Sequence, residues 1–203
     1  MRFALVGFAA ALAAAAALLA IAQPLPTRPA APAQSAERKL MPIDWNEVRE
    51  ALRGKRLQRA EIRQMSIAAD APQPSLPMLL PVEPSFAAAT VSVFPQQDSY
   101  AASMRLGDVT VEVHGERRAM VLESNNPMLR LIKSKNTARL AGADVPFALD
   151  KTEGGYDLTF GRFGAAYLVS IECRAAETDA RCTKPDLIRT LAERMGLFGK
   201  DAP

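Results

Sequence analysis

The chain carries a single imidazole, His114, and two thiols, Cys173 and Cys182. Any mechanism that needs a histidine must therefore run through His114, and a four-ligand His/Cys metal centre is excluded by counting. A hydrolase would need a nucleophile and a carboxylate beside that imidazole, for instance Ser103 and Asp108 from the neighbouring segments. No Gly-x-Ser-x-Gly elbow and no Ser-x-x-Lys helix with supporting motifs accompanies them. A solvent-facing histidine beside Gly115 is the simpler reading, since the imidazole falls opposite the Val109, Val111, Val113 face of its strand. Two carboxylate pairs, Glu112 with Glu116 and Asp150 with Asp157, are spaced to face each other across hairpins as a glycosidase pair would. With 22 acids in a sheet-rich chain, such pairs arise without function.

Cys173 ends an alternating apolar segment and Cys182 stands just before a helix signal. An even pair at this spacing is expected to be a disulfide that docks the terminal helix on the sheet. A redox pair would instead be Cys-x-x-Cys at a helix start. Basic side chains form two groups: Arg117 and Arg118 with Arg130, Lys133, Lys135 and Arg139, and an N-terminal set running from Arg49 to Arg63. Either group could meet an anionic surface such as phospholipid head groups, at about 1 kcal/mol per well-placed charge. Glu47, Glu50 and Glu61 lie within pairing range of the N-terminal set, so a solvated, internally neutralised face is the competing reading. Gly161-Arg162-Phe163-Gly164 matches a short backbone-clamping pattern of nucleic-acid binders, but it sits between strand signals, where a hairpin explains it. Phosphate-loop, HExxH and EF-hand patterns are missing, and no cofactor is implied. The formal charge of +3 gives no mandate for nucleic acid.

These residues depend on the elements that carry them. The chain opens with Met1-Arg2 and an uncharged run from Phe3 to Ala22 holding eleven Ala and four Leu. Ala20-Ile21-Ala22 supplies the small residues of a signal-peptidase site, so cleavage after Ala22 and export are expected. The alternative is an uncleaved inner-membrane anchor through Phe3 to Ala22, since about 20 apolar residues can span a bilayer. Residues 23–43 read as a Pro/Ala-rich tether of polyproline character. Residues 44–69 read as a basic helical segment, with Asp44 as cap, Val48, Ala51 and Leu52 on one face, a break at Gly54 and a second helix over Lys55 to Ala69. Residues 70–84 hold proline at 72, 74, 77, 81 and 84, which forbids a central strand and a helix alike. The expectation is a strap that lays Leu76 to Leu80 over the domain.

Residues 85–199 alternate apolar and polar positions: Val91 and Val93; Tyr100, Ala102, Met104 and Leu106; Val109, Val111 and Val113; and a fourth strand about Arg117 to Leu122. Turns are expected at Leu106-Gly107-Asp108 and at His114-Gly115-Glu116, and a helix start at Asn126-Pro127. A second group follows, from Val145 to Lys151, from Tyr156 to Phe160 and from Tyr167 to Ile171. It closes with a helix capped at Thr183 and striped by Leu187, Ile188, Leu191, Met195 and Leu197. Hairpin-length turns imply antiparallel pairing. The expected fold class is α+β, an antiparallel sheet of about six or seven strands with helices on one face. Its strands-then-helix order occurs twice, the pattern of a pseudo-repeat, with too little side-chain identity to establish duplication.

The function expected from these parts is an exported, non-enzymatic binding or structural domain of the periplasm or envelope. Its partner would be an envelope protein or an anionic membrane surface. Two alternatives remain in view: a carrier or sensor of a small apolar ligand held under the Leu76 to Leu80 strap, and a hydrolase using His114.

Overall fold

The computed structural model describes residues 38–60, 62, 64–86, 89–120, 140, 143 and 146–199. The leader, most of the tether, the helix expected at Asn126 and the basic residues Arg130, Lys133, Lys135 and Arg139 lie outside the described residues. A seven-stranded sheet organises the rest: β2 (Gln64–Ser66), β4 (Thr90–Pro95), β5 (Ser99–Leu106), β6 (Val109–Glu116), β8 (Ala148–Lys151), β9 (Gly155–Arg162) and β10 (Ala165–Cys173), in the order β2-β4-β5-β6-β10-β9-β8. Two short ribbons flank it. In one, β1 (Arg38–Leu40) pairs with β7 (Arg118–Met120), and in the other β3 (Met78–Pro81) pairs with β11 (Met195–Phe198).

Alternation decides which side of the sheet is buried. Val109, Val111 and Val113 on β6, Tyr100, Ala102 and Met104 on β5, and Tyr167, Val169 and Ile171 on β10 are each at most 2% exposed. They form one apolar cluster with Leu158 and Phe160 of β9, with Val48 and Ala51 of α1 (Trp45–Arg53), and with Ile188 and Leu191 of α3 (Asp186–Glu193). Full burial of each of these valines stabilises by about 1.5–3 kcal/mol. The opposite side, with Ser103, Glu112, His114 and Ser170, is half-buried to exposed.

The sheet is mixed rather than antiparallel. β2 runs parallel to β4, in register from Gln64 with Thr90 to Ser66 with Ser92. This strand also replaces the second helix expected over Lys55 to Ala69. Helix α1 is capped as its spacing predicts, Asp44 accepting from the Glu47 amide at 2.9 Å, and it stops at Gly54. Beyond it, Gln58 and Ala60 exchange backbone hydrogen bonds with Leu197, which draws this stretch alongside β11 in extended form. The sheet splits into two meanders, β4-β5-β6 and β8-β9-β10, that meet at the antiparallel β6–β10 pair. The helix expected to close the first meander lies outside the described residues, so two meanders are established and a repeat is not.

The structure also refines one expectation and corrects three. The proline strap contains a strand: Met78, Leu79 and Leu80 keep their amides while Pro77 and Pro81 fall just before and at the end of β3, where the missing donors do not break the ladder. His114-Gly115-Glu116 is not a turn but the end of β6, and Gly115 serves a different need described below. Met195 and Leu197 belong to β11 and not to a helix stripe, because α3 ends at Arg194 and the chain then passes between β3 and Gln58. Only glycine fits that passage: a Cβ on Gly196 would lie 2.2 Å from Val82 and 2.9 Å from the Gln58 carbonyl oxygen. Thr183 likewise caps no helix. Asp179 caps the short α2 (Ala180–Thr183), and α3 begins after Pro185 without a side-chain cap.

Candidate functional site

The position of β3 above the sheet is set by two tyrosines on one row of the sheet, either side of β6. The Tyr100 hydroxyl donates to the Leu79 carbonyl at 2.7 Å and accepts from the Leu79 amide at 2.9 Å. The Tyr167 hydroxyl donates to the Pro77 carbonyl at 2.9 Å. Both phenols are buried, and Tyr100 therefore holds its proton far above the ordinary tyrosine range, because burial penalises the phenolate. Tyr100, Gly115 and Tyr167 are register partners across β5, β6 and β10. A Cβ on Gly115 would stand 2.2 Å from the Tyr100 ring, so glycine here is what lets that ring lie across β6 and reach the ribbon. On the other edge of the ribbon, the Leu197 amide and carbonyl are taken up by Gln58 and Ala60.

Because the ribbon is held at β3, a gap opens where the chain leaves it for β4. This cleft has a volume of about 360 Å³. Val91 and Met104 form its floor, Leu80, Pro81 and Val82 its roof, and Phe86 one end. The η1 turn (Pro84–Phe86) shapes that end, and Ile62 lies at the rim. Gln58, Arg59 and Glu83 also line it: Arg59 donates to the Gly199 carbonyl at 3.2 Å, and Glu83 pairs with Arg194, outside the lining, at 2.6 Å. An apolar floor and roof with a few polar groups at one end is the composition of a small-molecule site, at the small end of the usual size range of about 300–1,000 Å³.

The residues singled out from sequence lie elsewhere and do not converge. His114 is on the solvent side of the sheet, 3.5 Å from Glu112 of its own strand, with both side chains about half exposed. Its register partners are Ala101 and Leu168, whereas Ser103 stands opposite Glu112. Asp108 occupies the far end of the hairpin, about 20 Å along an extended strand from His114, and pairs with Arg174 at 3.7 Å. Ser103, Asp108 and His114 are thus not brought together. Asp150 and Asp157 do face each other across β8 and β9, and Asp157 takes the Ser170 hydroxyl. Glu116 is 3.5 Å from Arg38. Gly161 lies within β9, and the Phe163-Gly164 turn joins that strand to β10, so the glycine pattern is a hairpin.

Among the basic residues, Arg117 is half-buried and bonds the Met41 carbonyl at 2.7 Å and the Ser75 hydroxyl at 3.2 Å, fastening the tether's end to the start of the strap. Arg118 reaches Asp98 at 3.3 Å. Cys173 and Cys182 are bonded to each other and join the end of β10 to α2. Among the described residues, no cluster of three His, Cys, Asp or Glu could hold a metal, and no helix is long and apolar enough to cross a membrane. Sequence reasoning missed the tyrosine clamp and the cleft, because each joins segments that only the strand register brings together, although Arg59 of the cleft lining belongs to the N-terminal basic set. No family model, curated protein or solved structure matches the chain.

Proposed function

We propose that this chain is an exported, non-enzymatic binding domain of the periplasm or envelope, and that it takes the apolar part of a small molecule into the cleft between the β3–β11 ribbon and the β4–β5 margin of the sheet. The cleft is the observation that carries this reading, since most of its lining is apolar and only Gln58, Arg59 and Glu83 bring polar side chains to it. The Cys173–Cys182 bond fits an oxidising compartment, and the Phe3 to Ala22 run with its small-residue site fits export to one.

The test is a fluorescence titration of the disulfide-bonded domain with N-phenylnaphthylamine, a neutral apolar probe. Saturable enhancement is expected for the parent protein. It should be lost in Ile62→Trp, which places an indole at a partly buried lining position of the cleft, and the far-UV circular dichroism and urea midpoint of the variant show whether the fold is kept. Absence of saturable binding by the parent, or full binding by Ile62→Trp, overturns the reading.

A further inference from the structure

The two charged residues of the cleft lining, Arg59 and Glu83, are both in use within the protein. The Glu83 side chain is 18% exposed and pairs at 2.6 Å with Arg194, whose backbone carbonyl also accepts from the adjoining Val82 amide at 2.7 Å. Arg59 donates to the Gly199 carbonyl and makes a further contact besides, and its backbone is bridged to Leu197. A cationic ligand would have to take Glu83 from Arg194, and an anionic one would have to draw Arg59 from its own bonds. Either exchange replaces one interaction by another like it, while the ion still loses hydration beside an apolar floor. Gln58 differs. Its backbone carbonyl accepts from the Leu197 amide at 2.7 Å, which fixes the residue beside β11, while its side-chain amide makes no hydrogen bond among the described residues. That amide offers two donors and an acceptor, and no charge.

Resting on the cleft reading above, we infer that the ligand is a neutral amphiphile, its apolar body over Val91 and Met104 and one uncharged polar group, a hydroxyl or a carbonyl, at the Gln58 amide. Selection against ions then comes from the existing bonds of Arg59 and Glu83, and selection for the polar group from Gln58.

The experiment is displacement of N-phenylnaphthylamine from the parent protein, at neutral pH, by octan-1-ol, octanoate and octylammonium, which share a chain and differ in the head. The alcohol is expected to compete about tenfold better than either ion. Gln58→Met keeps the length of an exposed side chain and removes its amide. It should weaken octan-1-ol about fivefold, the effect of losing one neutral hydrogen bond, and leave the affinity for the probe and for octanoate as it was. A folding defect would lower all three together. Competition by either ion as strong as by the alcohol in the parent, or an unchanged alcohol affinity in Gln58→Met, overturns the neutral ligand and leaves the apolar cleft standing. Failure of the probe itself to bind the parent removes both readings.

Discussion

The layer that covers the sheet is fastened in two different ways at its two ends. At the β9–β10 end, α2 and α3 are held by a covalent bond, with Cys182 buried beneath Gly155 and the Tyr156 hydroxyl donating to the Thr183 carbonyl at 3.2 Å. Toward β4, the β3–β11 ribbon has no such bond. It is held by the Tyr100 and Tyr167 hydroxyls from below and by Gln58 and Ala60 from the side. The first end is pulled onto the sheet by a link of fixed length. At the second, phenol side chains keep β3 at ring height, and the space left beyond Leu80 is the cleft. The contrast teaches that a disulfide sets how firmly a layer docks, whereas a hydrogen-bonding side chain of defined length also sets the gap beneath it.

The largest effect is expected at the tyrosine end. Tyr100→Phe keeps the ring and removes the oxygen, leaving the buried amide and carbonyl of Leu79 without their partner. Each such group costs about 1–3 kcal/mol, so urea denaturation should show a loss of about 3 kcal/mol. Tyr167→Phe leaves the Pro77 carbonyl without that donor and should lose less, about 1–3 kcal/mol for one such group. Probe binding at the cleft should weaken with Tyr100→Phe, since the roof loses its support. Equal losses from the two variants would mean that the hydroxyls do not place the ribbon.

Next in size is the disulfide. The pair closes a loop with a sequence separation of 9. Replacing both cysteines with serine should lower stability by about 2.5 kcal/mol in the chain-entropy account. Unlike Tyr100→Phe, this double change should leave probe affinity at the cleft as it was. A loss of probe binding on opening the disulfide would erase the distinction between the two ends.

The asymmetry explains what could be read from the amino acids alone. Strict alternation at Tyr100 to Met104, Val109 to Val113 and Tyr156 to Ile171 marks strands because each side of the pleat meets a different medium. The cysteine pair was legible for a similar reason, its spacing and setting being local. Elements whose partners are distant were not legible. Met195 and Leu197 fit a helix continuing from Leu191 as well as a strand, and only the approach of Val82 and Gln58 to Gly196 decides. β3 was hidden by Pro77 and Pro81, and β2 by a run of Arg and apolar residues with helical spacing. Gly115 resembled a turn residue, yet its lack of a side chain answers a ring on another strand. The cleft draws its walls from residues as far apart as Gln58 and Met104, so no window of sequence displays it.

The smallest effect should be found at α2, inside the covalently fastened end. The Asp179 carboxylate accepts from the Arg181 amide at 2.9 Å and pairs with the Arg181 guanidinium at 2.6 Å. The Arg181 side chain, more than any other group, holds its pKa down to about 2. A carboxylate depressed on folding contributes stability above its ordinary pKa and loses it as pH falls through the folded value. The cap should therefore hold at pH 5 and weaken from about pH 4 toward pH 2. A carboxyl NMR titration should place the Asp179 midpoint near 2 and move it up toward the ordinary aspartate range in Arg181→Gln. Because the disulfide pins Cys182 regardless of this cap, acidification should raise amide exchange within α2 while α3 stays protected. If both helices open together, the bond does not divide the layer into separately fastened parts.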